Sequence, residues 1–139
     1  MRLWHYRLIS YLPNPQLVAQ WRELNSIFKN QPEHILINYV YEENPMYLFT
    51  YSCEVLNEMR KRNIKIKSTE NAETYFSNRG IDPNGVYAIW HFTQHDDRYL
   101  RQCFYNLQEK YDRGQKGFTE EIYMTLAKFV KSKLEDVVI

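Results

Sequence analysis

No apolar run in the 139 residues approaches the roughly 18 that a membrane-spanning helix needs, so no such helix is expected. The first residues lack the charged-then-apolar build of a secretory leader, and the expected compartment is the cytoplasm. Cysteine is scarce. Cys53 and Cys103 are the only two, and both fall at apolar positions of helical patterns, where free cysteine behaves as a small hydrophobe; they are expected to be reduced and buried. Excess charge is nearly absent as well: the net charge is +1 and the pI about 7.8. Long-range attraction to a polyanion is therefore not built into the whole molecule, and any nucleic-acid face must be local. There is no internal repeat, no low-complexity segment and no metalloprotease-type histidine spacing.

What is present is a chain of one-domain length with an ordinary share of apolar and charged residues, expected to fold as a single domain over 1–139. Aromatic residues, including 12 tyrosines, are unusually abundant. Tyrosine suits surfaces that want apolar area with a polar tip, whether a base-stacking groove or a wet core. Four segments carry helical periodicity. The first opens at Asn14-Pro15, an N-cap with proline at the first helical position, and runs through Leu17, Trp21, Leu24 and Phe28 to about Asn30. Asn44-Pro45 repeats the device for a second helix carrying Leu48, Phe49, Cys53, Val55, Leu56 and Met59, which ends in the basic "RKRNIKIK" of residues 60–67. A third starts near Asp96-Asp97, packs Leu100, Cys103, Phe104, Leu107 and Tyr111, and stops at Gly114. A fourth opens at Thr119 with Ile122, Leu126, Phe129 and Val130 on one side. "STENAETYFSNRG" suits a short helix, while "ILINYVY" (residues 35–41) reads as extended or irregular. Asp82-Pro83-Asn84-Gly85 reads as a turn before a mixed apolar run. The fold class is all-α: a compact bundle of about four helices with an N-terminal arm packed against it.

In "QLVAQWREL" (residues 16–24), Arg22 and Glu23 flank the apolar stripe of Leu17, Trp21, Leu24 and Phe28. At 100° per residue Glu23 lies about 120° to one side and Arg22 about 140° to the other, as in any solvated pair on an amphipathic helix. The amino terminus, one short arm away, gives the pair a second meaning. An α-amine titrates at about 7.7–8.0, so a useful fraction is uncharged and nucleophilic near neutrality. A glutamate facing it would serve as general acid–base, and an adjacent arginine would hold a phosphate.

"RLISYLPNPQLVAQWREL" (residues 7–24) resembles the N-terminal region of the pyrimidine-dimer DNA glycosylases of the bacteriophage endonuclease V type, through Leu8, Ser10, Leu12, Leu17, Ala19 and Arg22-Glu23-Leu24 aligned without a gap. "EVLNEMRKRNIKI" (residues 54–66) is similar to that family's second helix and basic exit, and "NLQEKY" (residues 106–111) weakly resembles its third helix. The resemblance implies an all-α repair enzyme that flips a nucleotide from damaged double-stranded DNA. An N-terminal amine would attack the sugar C1′ through a Schiff base, and β-elimination would follow. It implies a catalytic role for Glu23, with Arg22 at the DNA, and DNA contacts for Gln16 and Lys110. Such a scheme needs no metal or organic cofactor, and a monomer is expected. The family's nucleophile belongs to a small second residue, whereas Arg2 stands here. Either the amine of Met1 takes the role, or the glycosylase step is absent.

"WHYR" (residues 4–7) sets Trp4, His5 and Tyr6 beside Arg2 and Arg7, a composition that suits stacking a flipped base while Arg2 and Arg7 hold phosphates; an arm packed on the core accounts for Trp4 equally. His91 and His95 stand at i and i+4, which on a helix would share a face and could hold a metal if a third ligand converged; capping or surface histidines are the plainer reading. The leading expectation is a glycosylase/AP lyase using Met1, Glu23 and Arg22. The alternative is a helical domain of the same fold that only binds nucleic acid or a protein.

Overall fold

The computed structural model describes residues 1–139 and is helical without strands, as the all-α reading expects. It has a 3-10 helix at Tyr6–Tyr11 and six α-helices: α1 (Asn14–Asn30), α2 (Tyr39–Glu42), α3 (Pro45–Lys61), α4 (Glu70–Ser77), α5 (Asp97–Asp112) and α6 (Glu120–Lys133). The four long periodic segments are α1, α3, α5 and α6. Their caps follow from side-chain chemistry. Asn44 accepts the Met46 N–H at 3.0 Å, Asp96 the Tyr99 N–H at 2.9 Å and Thr119 the Ile122 N–H at 3.3 Å, each satisfying a donor that the first helical turn leaves free. Gly114, at φ +77°, supplies the left-handed turn after α5.

Asn14 departs from this pattern. It lies inside α1 rather than capping it, and Pro13 precedes the helix without a side-chain cap. The Asn14 carboxamide oxygen is taken instead by Arg62, the residue that closes α3. Arg62 donates to Asn14 Oδ1 (2.9 Å), to the carbonyls of Leu12 (2.6 Å) and Ser10 (3.1 Å), and to Glu58 (2.8 Å). One arginine of the basic "RKRNIKIK" thus turns inward and ties α3 to the junction between the 3-10 helix and α1. Arg62→Ala is expected to cost about 2 kcal/mol, since charge-assisted bonds to carbonyls are lost at a half-buried site. A lower urea midpoint with an unchanged slope would show it; an unchanged midpoint would refute the clamp.

α1 packs across α3 and α4, α3 also meets the 3-10 helix and α2, and α6 closes against α5 and the 3-10 helix. Leu17, Leu24, Ile27, Leu48, Val55, Phe104 and Leu126 fill one continuous core. Three further expectations need correction. Residues 39–41, the end of the stretch 35–41 read as extended or irregular, belong to the single helical turn α2; tertiary anchors hold it, with the Tyr41 hydroxyl donating to the Pro32 carbonyl (2.8 Å) and Tyr39 meeting His95. Cys103 is buried, but Cys53 is only half-buried, because its face of α3 borders an open groove beneath residues 83–89. His91 and His95 do not share a helix face, since residues 91–95 are not helical.

The arm explains why Gln20 and His95 are buried. Residues 1–5 have no regular structure, yet Leu3, Trp4 and His5 are buried. Buried backbone donors and acceptors must find partners, and a segment without a ladder of its own must borrow them from side chains. Three helices and a loop lend them here. The Tyr99 hydroxyl donates to the Leu3 carbonyl (2.5 Å), the Tyr51 hydroxyl to the Trp4 carbonyl (2.6 Å), and Gln20 receives the Trp4 N–H (2.7 Å). His95, just ahead of α5, receives the Tyr6 N–H at Nδ1 (3.1 Å).

Candidate active site

This set of bonds delivers the chain's first residue to the middle of α1. The Arg2 N–H points to Glu23 Oε2 at 3.4 Å, and the Arg2 carbonyl accepts from Gln20 Nε2 at 3.2 Å. Met1, Ala19, Arg22, Glu23 and Ser26 line one open hollow of about 400 Å³, within the size range of small-ligand sites. Its floor is one side of α1. Ala19 and Ser26 lie about one helical turn to either side of Glu23, and their short side chains leave the carboxylate accessible.

Glu23 is half-buried, and burial pushes its carboxyl above the usual glutamate value; the Arg2 N–H, the N-terminal ammonium, the Gln20 amide and Arg22 pull the other way. Both hydrogen bonds to the carboxylate fall on Oε2, one from Arg2 and one from Gln20 at 3.2 Å, so Oε1 is left free for a proton. Arg22 is exposed at the rim. The hollow thus gathers the first residue, a half-buried carboxyl and an exposed arginine against one side of α1.

The other residues singled out from the sequence lie elsewhere. The Arg2 guanidinium is turned inward, 5.8 Å from the Trp4 ring, 5.7 Å from the Tyr99 ring and 3.9 Å from Cys103 Sγ; only its main chain reaches Glu23. Arg7 is outward, 3.9 Å from an exposed Asp97, a pair too solvated to hold it firmly. Gln16, at the start of α1, and Gln115, in the connection between α5 and α6, exchange amide hydrogen bonds, with Gln16 Nε2 donating at 3.0 Å. Lys110 is exposed on α5 and does not line the hollow. His5 is buried and accepts the Arg7 N–H at 3.1 Å, capping the 3-10 helix.

His91 and His95 serve separate contacts. His91 Nδ1 is 3.5 Å from Glu54 and its ring stacks on Tyr6 at 3.6 Å between centroids. Burial pushes the Glu54 carboxyl up to about 7. His95 spends both nitrogens on Tyr6 and Tyr39, and no three His, Cys, Asp or Glu side chains gather to hold an ion.

The fold and the hollow define a helical domain that sets its chain terminus against a half-buried glutamate. The chain belongs to the pyrimidine dimer DNA glycosylase family, whose family model matches residues 1–71, just over half of it. That span runs from the arm through α1 and α3 to the start of α4. It includes Met1, Arg22 and Glu23 and leaves out Lys110 and both clustered histidines. No curated protein and no solved structure matches the chain.

Gln20, Tyr51 and Tyr99, which hold the arm, were not singled out from the sequence. A signal existed for Gln20. It lies three residues after Leu17 and four before Leu24, in register with the buried stripe, and a polar residue at such a position implies that something buried needs a partner.

Proposed function

We propose that the chain is a DNA glycosylase/AP lyase acting on damaged pyrimidines or abasic sites in duplex DNA, with the Met1 amine as nucleophile and Glu23 as proton carrier. The observation that carries this reading is the meeting of the chain terminus and Glu23 in one hollow, inside the matched span. The uncharged amine nitrogen bonds to the deoxyribose C1′, and the base leaves with the electron pair of the glycosidic bond and a proton. Loss of a proton from nitrogen and opening of the sugar ring give an imine, with Glu23 returning a proton to the ring oxygen. Removal of a C2′ proton by the Glu23 carboxylate then expels the 3′ phosphate oxygen and cuts the strand.

Arg22 at the rim holds a phosphate beside the reacting sugar, and Arg7 exchanges Asp97 for another. Lys110 and Gln16 extend the DNA face along α5 and the start of α1. Arg2 contributes through its main chain while its guanidinium stays under the arm. Nucleophile and proton carrier both come from the chain, so no metal or organic cofactor enters the scheme. The protein acts as a monomer in the cytoplasm on a flipped-out nucleotide.

The test is strand cleavage of a duplex carrying one abasic site or one cyclobutane dimer, with chelator present. Cleavage at the lesion alone, leaving an unsaturated sugar end, is expected; an intact strand, or cleavage lost to chelator, would overturn the reading. Arg2, standing where the family has a small nucleophilic residue, favours a second reading, a helical domain of the same fold that only binds nucleic acid or a protein. A mobility shift on damaged duplex without cleavage would select it.

A further inference from the structure

We infer that Gln20 is the positioning residue of the site, setting both where the Met1 amine sits and how readily Glu23 ionises. This rests on the function proposed above. Gln20 is 1% exposed, and its amide is engaged at both ends. The oxygen receives the Trp4 N–H at 2.7 Å and lies 2.8 Å from the Tyr51 hydroxyl, whose proton it shares with the Trp4 carbonyl. The nitrogen donates to the Arg2 carbonyl and to Glu23 Oε2, each at 3.2 Å.

Only one orientation of the amide works. Turning it over would set an N–H against the Trp4 N–H and an oxygen against both the Arg2 carbonyl and the carboxylate. The arm is therefore held at Arg2 and Trp4 by a single side chain from α1, and the same side chain touches the carboxylate three residues further along the helix. Arg2 is covalently next to Met1, so the nitrogen proposed to attack and the group proposed to carry its proton share one rigid support. Tyr51, wholly enclosed in α3, fixes that support from the far side, with its hydroxyl proton held by burial.

A purely structural clamp and a positioning residue differ in what they do to Glu23. A clamp affects folding alone. A positioning residue that donates to Oε2 also favours the ionised carboxylate, so removing the donor must raise the Glu23 pKa in a folded protein. Two variants separate these roles. Gln20→Glu keeps an oxygen for the Trp4 N–H but loses the donation to Arg2 and Glu23 and sets a second carboxylate beside the first. Gln20→Met keeps the length and loses every hydrogen bond.

The experiment follows the Glu23 carboxyl carbon by NMR titration in the full-length wild type and both variants, with single-turnover cleavage of an abasic duplex measured against pH. The Glu23 titration is expected to move upward in both variants, and further in Gln20→Glu. The acid limb of the cleavage profile should move with it, and the rate should fall on the order of a hundredfold with little change in duplex affinity. A folded Gln20→Glu protein with an unmoved Glu23 titration would overturn the inference. If the wild type does not cleave at all, the proposed function fails, and the NMR titration still decides whether Gln20 governs the carboxylate. If Gln20→Met does not fold, the Glu23 titration in Gln20→Glu decides between the two roles by itself.

Discussion

Glu23→Gln is expected to slow cleavage of an abasic-site duplex by about 10²- to 10⁴-fold, the range a positioned general acid–base supplies. The substitution is close to isosteric, and the glutamine oxygen can accept from the Arg2 N–H and the Gln20 amide as Oε2 does now. The arm should stay in place and the fold should persist. What disappears is the ability to take a proton from C2′ and to return one to the sugar. Duplex affinity should be unchanged or tighter, because a carboxylate leaves a face that meets phosphates. In the wild type the acid limb of the pH–rate profile should lie above the ordinary glutamate value, since burial is the largest influence on this carboxyl and raises it. Full activity in Glu23→Gln, measured by single-turnover gel assay, would remove Glu23 from the chemistry.

The second large effect is on stability in acid. His95 is 6% exposed, and burial, followed by its histidine neighbours, pushes it down to about 2. Its Nδ1 accepts the Tyr6 N–H, so the proton of the neutral ring sits on Nε2, toward the Tyr39 hydroxyl at 2.8 Å. Protonating Nδ1 would oppose a donor to a donor. The unfolded chain gains this proton near 6.5 and the folded chain does not until far lower. The contribution is thus fully present above about pH 6.5 and is lost as pH falls, at about 1.4 kcal/mol per pH unit. His5, pushed down to about 4 chiefly by burial, adds a loss of the same sign between 6.5 and 4. From pH 6.5 to 4.5 the two together remove on the order of 5 kcal/mol, comparable to the low end of a typical total of about 5–15 kcal/mol. Urea unfolding from pH 7 to 4.5 should show a steep fall, flattened in His95→Gln; a flat wild-type profile would contradict a neutral, buried His95.

These two residues show what the sequence carries and what it withholds. Cap chemistry and a 3.6-residue period place α1, α3, α5 and α6, because each is decided by near neighbours. Asn14 lies within α1 instead of capping it, and Arg62, distant along the chain, takes its side-chain oxygen. Periodicity alone leaves Glu23 among solvated helix charges. The family resemblance marks it out, and the fold sets Met1 above it. Its support stayed hidden, since Gln20, Tyr51, Tyr99 and His95 serve backbone groups of the arm, and their pairing exists only once α1, α3 and α5 have packed. Arg2 reads as a phosphate ligand by composition, yet Trp4 and Tyr99 give its guanidinium a place inside.

The most direct measurement is mass-spectrometric mapping of the adduct formed when the full-length protein, an abasic-site duplex and borohydride are mixed. A reduced sugar remnant on the α-nitrogen of Met1 is the predicted result, absent when that nitrogen is acetylated beforehand. A remnant on a lysine instead, or no adduct while the duplex is bound, would contradict the role given to the chain terminus.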